Sequence, residues 1–173
     1  MTVKLVLNRY INMKNRIDFK SEHKNYGLRI YAKEFEKILE MCTKSGRLET
    51  GGRLMGYYTT RRDLAIVTDV LAPTEDTKHG LFSLSLGING LNVLFNYLWH
   101  KRRIYYIGDW HFHPYSSPEP SGTDLAQLKQ IAGSKQYNCP EPILLIVGGN
   151  PKKEWISRVF VFVKKNGYLE LNS

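Results

Sequence analysis

The sequence predicts a mixed α/β domain in which helices pack on a curved β-sheet. Two segments place apolar residues at helical spacing, and a third begins on a helix-start signal. Apolar runs of strand length lie between and after them, in the order helix, strands, helix, strand, helix, strands. The 173 residues are 42% hydrophobic and 24% charged, the size and composition of one soluble globular domain. No internal repeat, low-complexity tract or second domain interrupts the pattern.

Residues 1–26 are read as an N-terminal extension and 27–173 as the main domain. Within the extension, Val3-Lys4-Leu5-Val6-Leu7 is apolar enough for an edge strand, and its lysine suits an edge. Gly27 to Ile30 reads as a short strand. Phe35, Ile38, Leu39 and Cys42 then recur along one helical stripe, predicting a helix over 32–45 with Gly46 as its C-terminal cap. Strands follow at 52–59 and 64–71, separated by the hairpin-like break Thr60-Arg61-Arg62-Asp63. Residues 73–80 read as a loop and 81–86 as a short strand. Leu91, Leu94, Phe95 and Leu98 predict a helix over 88–101. Ile104 to His111 is a buried strand. Three prolines make 114–120 a loop, and Ser121 opens a helix to about 132. The last strands fall at 142–148, 156–163 and 168–171.

The bulk composition narrows the function classes. No stretch approaches the roughly 18 apolar residues of a membrane span, and the N-terminus has no signal-peptide cleavage pattern, so a cytoplasmic location is expected. Cys42 and Cys139 have no spacing of a disulfide framework or thiolate metal site and are read as reduced thiols. The net charge is +9 but is scattered, which favours a solvated basic surface over nucleic-acid binding.

The chemistry concentrates in Gly108-Asp109-Trp110-His111-Phe112-His113-Pro114, followed by Ser121-Gly122-Thr123-Asp124. His111 and His113 sit two apart at a strand end, so their imidazoles share a face while Phe112 points the other way. Asp124 lies in the first turn of the next helix. Ser121-x-x-Asp124 is also a capping arrangement, and both readings stand at this point. Two imidazoles and a carboxylate make a three-ligand zinc set whose fourth position is open to water, as hydrolysis needs. Such a site needs a base. Glu49, before Thr50-Gly51-Gly52, is the first candidate, the glycines allowing close backbone approach. Asp109 reads as an exposed strand residue or as a partner to a ligand. His23, His79 and His100 have no neighbour at ligand spacing.

Taken together, Glu49-Thr50-Gly51-Gly52, Trp110-His111-x-His113-Pro114 and Ser121-x-x-Asp124 resemble the JAMM motif of MPN (JAB-type) metallopeptidases, from about Gly27 to Val163. The resemblance implies an MPN-like fold and a zinc peptidase. Its metal ligands would be His111, His113 and Asp124. Glu49 would shuttle protons, and Ser121 would hydrogen-bond the oxyanion or water. It further implies cleavage after the C-terminal glycine of ubiquitin or a ubiquitin-like protein. The Glu-Thr-Gly-Gly and Gly-Asp-Trp-His forms are similar to prokaryotic members encoded with E1- and E2-like enzymes, including those of CBASS anti-phage operons. Arg53 and Phe112 depart from the family pattern, which favours an aliphatic and a small residue there. The rival readings are a catalytically silent MPN scaffold and a zinc hydrolase for another amide.

Overall fold

Two hydrophobic periods organise the chain, as seen in a computed structural model that describes residues 15–23, 25–151 and 153–173. Helix α1 (Ala32–Ser45) buries Phe35, Ile38 and Cys42 along one stripe and stops at Gly46, where φ is 67°. Strand β8 (Ile143–Asn150) buries both faces instead: Leu145 and Val147 join one apolar cluster, Leu144 and Ile146 another. A strand buried on both sides reads as an unbroken apolar run, which is why 143–147 shows no alternation.

The remaining strands are β1 (Arg16–Lys20), β2 (Gly27–Tyr31), β3 (Thr50–Tyr58), β4 (Leu64–Val70), β5 (Lys78–His79), β6 (Leu84–Ser85), β7 (Tyr105–Pro114), β9 (Glu154–Val163) and β10 (Gly167–Leu171). Eight of the ten strands among the described residues form one sheet in the order β1-β2-β4-β3-β7-β8-β9-β10. Its β2/β4 and β7/β8 pairs are parallel and the other pairs antiparallel. The sheet curls until its two edges touch: Lys20 and Asn172 exchange both backbone hydrogen bonds, each 2.8 Å. Every one of the eight strands sends side chains into the cluster that holds α1, so α1 plugs the inside of the curl. Helices α2 (Leu91–Arg102) and α3 (Gly122–Gly133) cover the outside. Leu98 meets Met55, Ile104 and Tyr106, and Leu128 meets Leu144, Ile146 and Phe160.

Within the described residues the predicted helices and strands are present with bounds shifted by a few residues, and the mixed α/β class holds. Two differences stand out. Arg16–Lys20, within the stretch read as an extension, is a strand of the main sheet that buries Ile17 and Phe19. Its alternation spans five residues and is flanked by charge, too short a pattern to register against its polar surroundings. The loop read over 73–80 ends in β5, which pairs with β6 as a separate two-stranded ribbon. The apolar run at Val3–Leu7 lies outside the described residues.

Candidate metal centre

Strand β7 can present its histidines outward only because it contains a bulge. Leu54 pairs with Gly108 and Met55 with Tyr106, so Ile107 is an extra residue on β7. Tyr106 faces the outer cluster and Ile107 the inner one. The insertion then resets the alternation. Trp110 and Phe112 point inward, and Asp109, His111 and His113 point outward. Phe112 therefore faces away from the histidines, as expected, and packs edge-on against Trp155.

The third residue arrives from α3. Tyr115 N donates to Gly149 O and Gly149 N to Ser116 O, which pins the proline-rich loop to the end of β8. The loop delivers Ser121 as the N-cap of α3. Both sequence readings of Ser121-x-x-Asp124 are realised together. Asp124 N donates to Ser121 Oγ at 3.1 Å, while Asp124 Oδ2 accepts from Ser121 N and from Ser121 Oγ, both at 2.7 Å. This is a reciprocal capping box. The other oxygen, Oδ1, lies 3.0 Å from His111 Nδ1. One carboxylate thus closes a helix end with one oxygen and meets an imidazole with the other. Ligand atoms of His111, His113 and Asp124 all lie within 4.8 Å of one another.

Glu49 comes from the strand next door. Thr50 pairs with Phe112 and Gly51 with His111, so Glu49, one residue earlier, runs alongside His113. The two glycines are required by close approach. A Cβ on Gly51 would sit 2.5 Å from Trp110 O, 2.7 Å from Leu84 Cδ2 and 3.0 Å from His111 Cδ2, and one on Gly52 would overlap Leu71 O. The Glu49 main chain is held from outside the large sheet: its N–H donates to Gly80 O at 2.8 Å, and its carbonyl lies 2.9 Å from His79 Nδ1.

The electrostatics separate the two carboxylates. Burial pushes Asp124 up, but hydrogen bonding and charge from His111, with the hydrogen bonds from Ser121, outweigh it and hold the carboxyl well below the usual range. Glu49 is raised, first by burial; the Asp124 charge adds to this, while His113 and His111 oppose it. One carboxylate is held ionised, which suits a metal ligand, and its neighbour is shifted towards holding a proton, which suits a base. The site fits a metal by a further sign: His111 is 5% exposed and its buried Nε2 has no hydrogen-bond partner. A buried imidazole nitrogen without a partner is costly unless a cation or donor meets it.

The structure thus brings Glu49, His111, His113, Ser121 and Asp124 together. It also shows what sequence reasoning missed. Asp109 is not an exposed strand residue: it is 3% exposed and accepts from Arg53 Nη1 at 2.9 Å. The period-two pattern running back from His111 carried that signal. His79 touches the Glu49 carbonyl, which no spacing announced. Cys42 and Cys139 are both free and buried. No helix among the described residues is long and apolar enough to cross a membrane.

Residues 32–161 match the family described as prokaryotic homologs of the JAB domain. A protein of Enterobacter hormaechei named "CD-NTase/cGAS isopeptidase" is 37% identical over 135 residues, covering 78% of this chain and 74% of that protein. A protein of Sinorhizobium fredii named "Probable metalloprotease" is 30% identical over 129 residues, covering 73% of this chain and 77% of the other. The solution structure of a Desulfitobacterium hafniense protein superposes with a TM-score of 0.57 at 19% identity, over 83% of this chain and 88% of that one, which speaks to the fold.

Proposed function

Since the chain belongs to the prokaryotic JAB family and is a JAMM-type hydrolase, we propose that it is a zinc-dependent isopeptidase that cuts after a C-terminal glycine. The glycine ends a ubiquitin-like modifier, or a protein conjugated through a ubiquitin-like C-terminus. The observation that carries this reading is the convergence of His111, His113 and Asp124 within 4.8 Å beside a carboxylate, Glu49, whose pKa is raised.

His111, His113 and Asp124 would hold the zinc, which supplies Lewis acidity and brings proton loss from water towards about pH 7. Glu49 accepts the proton of the attacking water and returns it to the departing amine. Its raised pKa suits both directions of transfer. Ser121 Oγ now donates to Asp124 Oδ2 and caps α3. Rotation of its hydroxyl proton towards the scissile carbonyl would add an oxyanion donor, typically worth about 3 kcal/mol. The β5–β6 ribbon abuts Gly51 and Glu49 through Leu84 and Gly80, so an extended tail has strand edges beside the site with which to pair.

The Enterobacter relative's name supports a narrower setting, in which the conjugated partner is a CD-NTase. The motif resemblance extends this setting to a CBASS anti-phage system in which E1- and E2-like enzymes make the conjugate. The test is cleavage of a ubiquitin-like protein fused through its terminal glycine to a reporter. Wild type, Glu49→Ala and chelated wild type are compared, with zinc measured in each. Cleavage by wild type alone, with zinc kept in Glu49→Ala, supports the reading. Zinc binding without cleavage points to another amide substrate, and the lack of both leaves a scaffold.

A further inference from the structure

Arg53 stands where the resembled family favours an aliphatic residue, and the structure gives it a buried ionic partner on the face of the metal ligands. Arg53 and Asp109 are cross-strand neighbours on β3 and β7, two residues from Gly51 and His111 respectively. Arg53 is 4% exposed. Its Nη1 donates to Asp109 at 2.9 Å and its Nη2 to Gly87 O at 3.1 Å. A buried ion pair is weak evidence for stability, because well-packed apolar residues of similar volume often serve as well. A pair that also grips a remote backbone carbonyl has a mechanical consequence.

Gly87 belongs to the strap that runs from Pro73 to Gly90 between β4 and α2. The strap is knotted at its ends. Gly87 N donates to Thr77 Oγ1 at 3.0 Å, and Ile88 N to Asp76 Oδ2 at 2.9 Å. A side chain at Gly87 would overlap the Asp76 carboxylate, so the knot is tight. The ribbon of β5 and β6 hangs from that knot and holds the main chain of Glu49 at Gly80 O and His79 Nδ1. Leu84 of the same ribbon lies against Gly51. A continuous path of contacts runs from Arg53 through Gly87, Thr77 and the ribbon to Glu49. The metal ligands lie on β7 and α3, off that path.

We propose that Arg53, braced by Asp109, is a positioning residue: it fastens the strap to the sheet and thereby sets the Glu49 main chain, without acting on the metal ligands. This rests on Glu49 serving as the base, but the fastening itself can be tested apart from activity. In Arg53→Met/Asp109→Leu the charges are replaced together, so neither is left orphaned. Arg53→Lys keeps a cation for Asp109 and loses the planar fork that reaches Gly87 as well. Each full-length variant is examined for amide exchange at Glu49 and His111, for zinc affinity, and for kcat and KM. In both, exchange at Glu49 should quicken by about 10-fold or more while that at His111 and the zinc affinity stay at wild-type levels. The turnover number kcat should fall by about 10- to 100-fold, the scale on which misplacing a reacting group acts. Unchanged exchange at Glu49 overturns the proposal whatever the catalysis does. So does a parallel loss of zinc affinity, which would place the pair's effect on the ligands. If wild type cleaves no fusion, the reading of the function fails, and the exchange data still decide the fastening.

Discussion

Gly51→Ala reaches the candidate metal centre through packing alone. The added methyl would stand 2.5 Å from Trp110 O, 2.7 Å from Leu84 Cδ2 and 3.0 Å from His111 Cδ2. Leu84 ends a flexible side chain and can turn aside. Trp110 O is backbone of the neighbouring strand and cannot, so β3 and β7 must part by several tenths of an ångström. Overpacking of this kind costs about 1–3 kcal/mol. For a chain of this size, 2 kcal/mol is about 4–8 °C in Tm. The same strain turns His111, whose Nδ1 lies 3.0 Å from Asp124, so zinc affinity should fall as well. Gly122→Ala is the control. Nothing lies within 4 Å of its Cβ position, and as the first residue of α3 it should be neutral or stabilising by about 0.5 kcal/mol. Thermal unfolding of both variants, with and without zinc, checks the argument. A Gly51→Ala protein as stable as wild type, with unaltered zinc affinity, would refute it.

Other expectations follow from the site. Glu49→Gln should keep zinc and lose cleavage by about 10²- to 10⁴-fold in kcat, the span typical of a general base, measured on the fusion substrate. A bulky residue in place of the substrate's penultimate glycine should abolish cleavage if the tail lies in a narrow slot; equal rates on both substrates would exclude the slot. The folded-state pKa of Asp124 is depressed, so in zinc-free protein its stabilising effect is present above the ordinary carboxylate range and is lost as pH falls through the folded value. Asp124→Asn should remove that part of the acid-side slope, about 2 kcal/mol for charge-assisted hydrogen bonds, in urea unfolding followed from pH 6 down to about pH 2. Burial pushes the Cys139 thiol up to about 12 and Cys42 higher still, so neither should react with a thiol reagent at neutral pH until the protein unfolds.

What could be read from the sequence was whatever depends on local order. The stripe Phe35, Ile38, Cys42 fixes a helix because burial repeats every turn. His111 and His113 share a face because strands alternate. The candidate donor set His111, His113 and Asp124 could be picked out because its members stand close in sequence and carry a recognisable order. The strap was not legible. It depends on Arg53 meeting Gly87 and on Glu49 meeting Gly80, pairings set by how β3 packs and not by any periodicity. Asp109 stood open between exposure and partnership because its partner Arg53 is not visible in the sequence order, although alternation along β7 already placed it on the face of His111. Nor could the bulge at Ile107 be seen in the apolar run around it, although it decides which way the histidines point.

The seam between Lys20 and Asn172 has a consequence for the order of events in folding. It joins residues separated by almost the entire described chain, through two hydrogen bonds. Contacts of such long sequence separation lose the most chain entropy on closure and contribute little to an early nucleus. The ring therefore closes last, after the hairpins β3–β4 and β8–β9 have formed. On a ribosome, the seam cannot form until β10 emerges. The seam is also where the native ring should open first, making it the place where a protease or a second strand would gain its earliest hold.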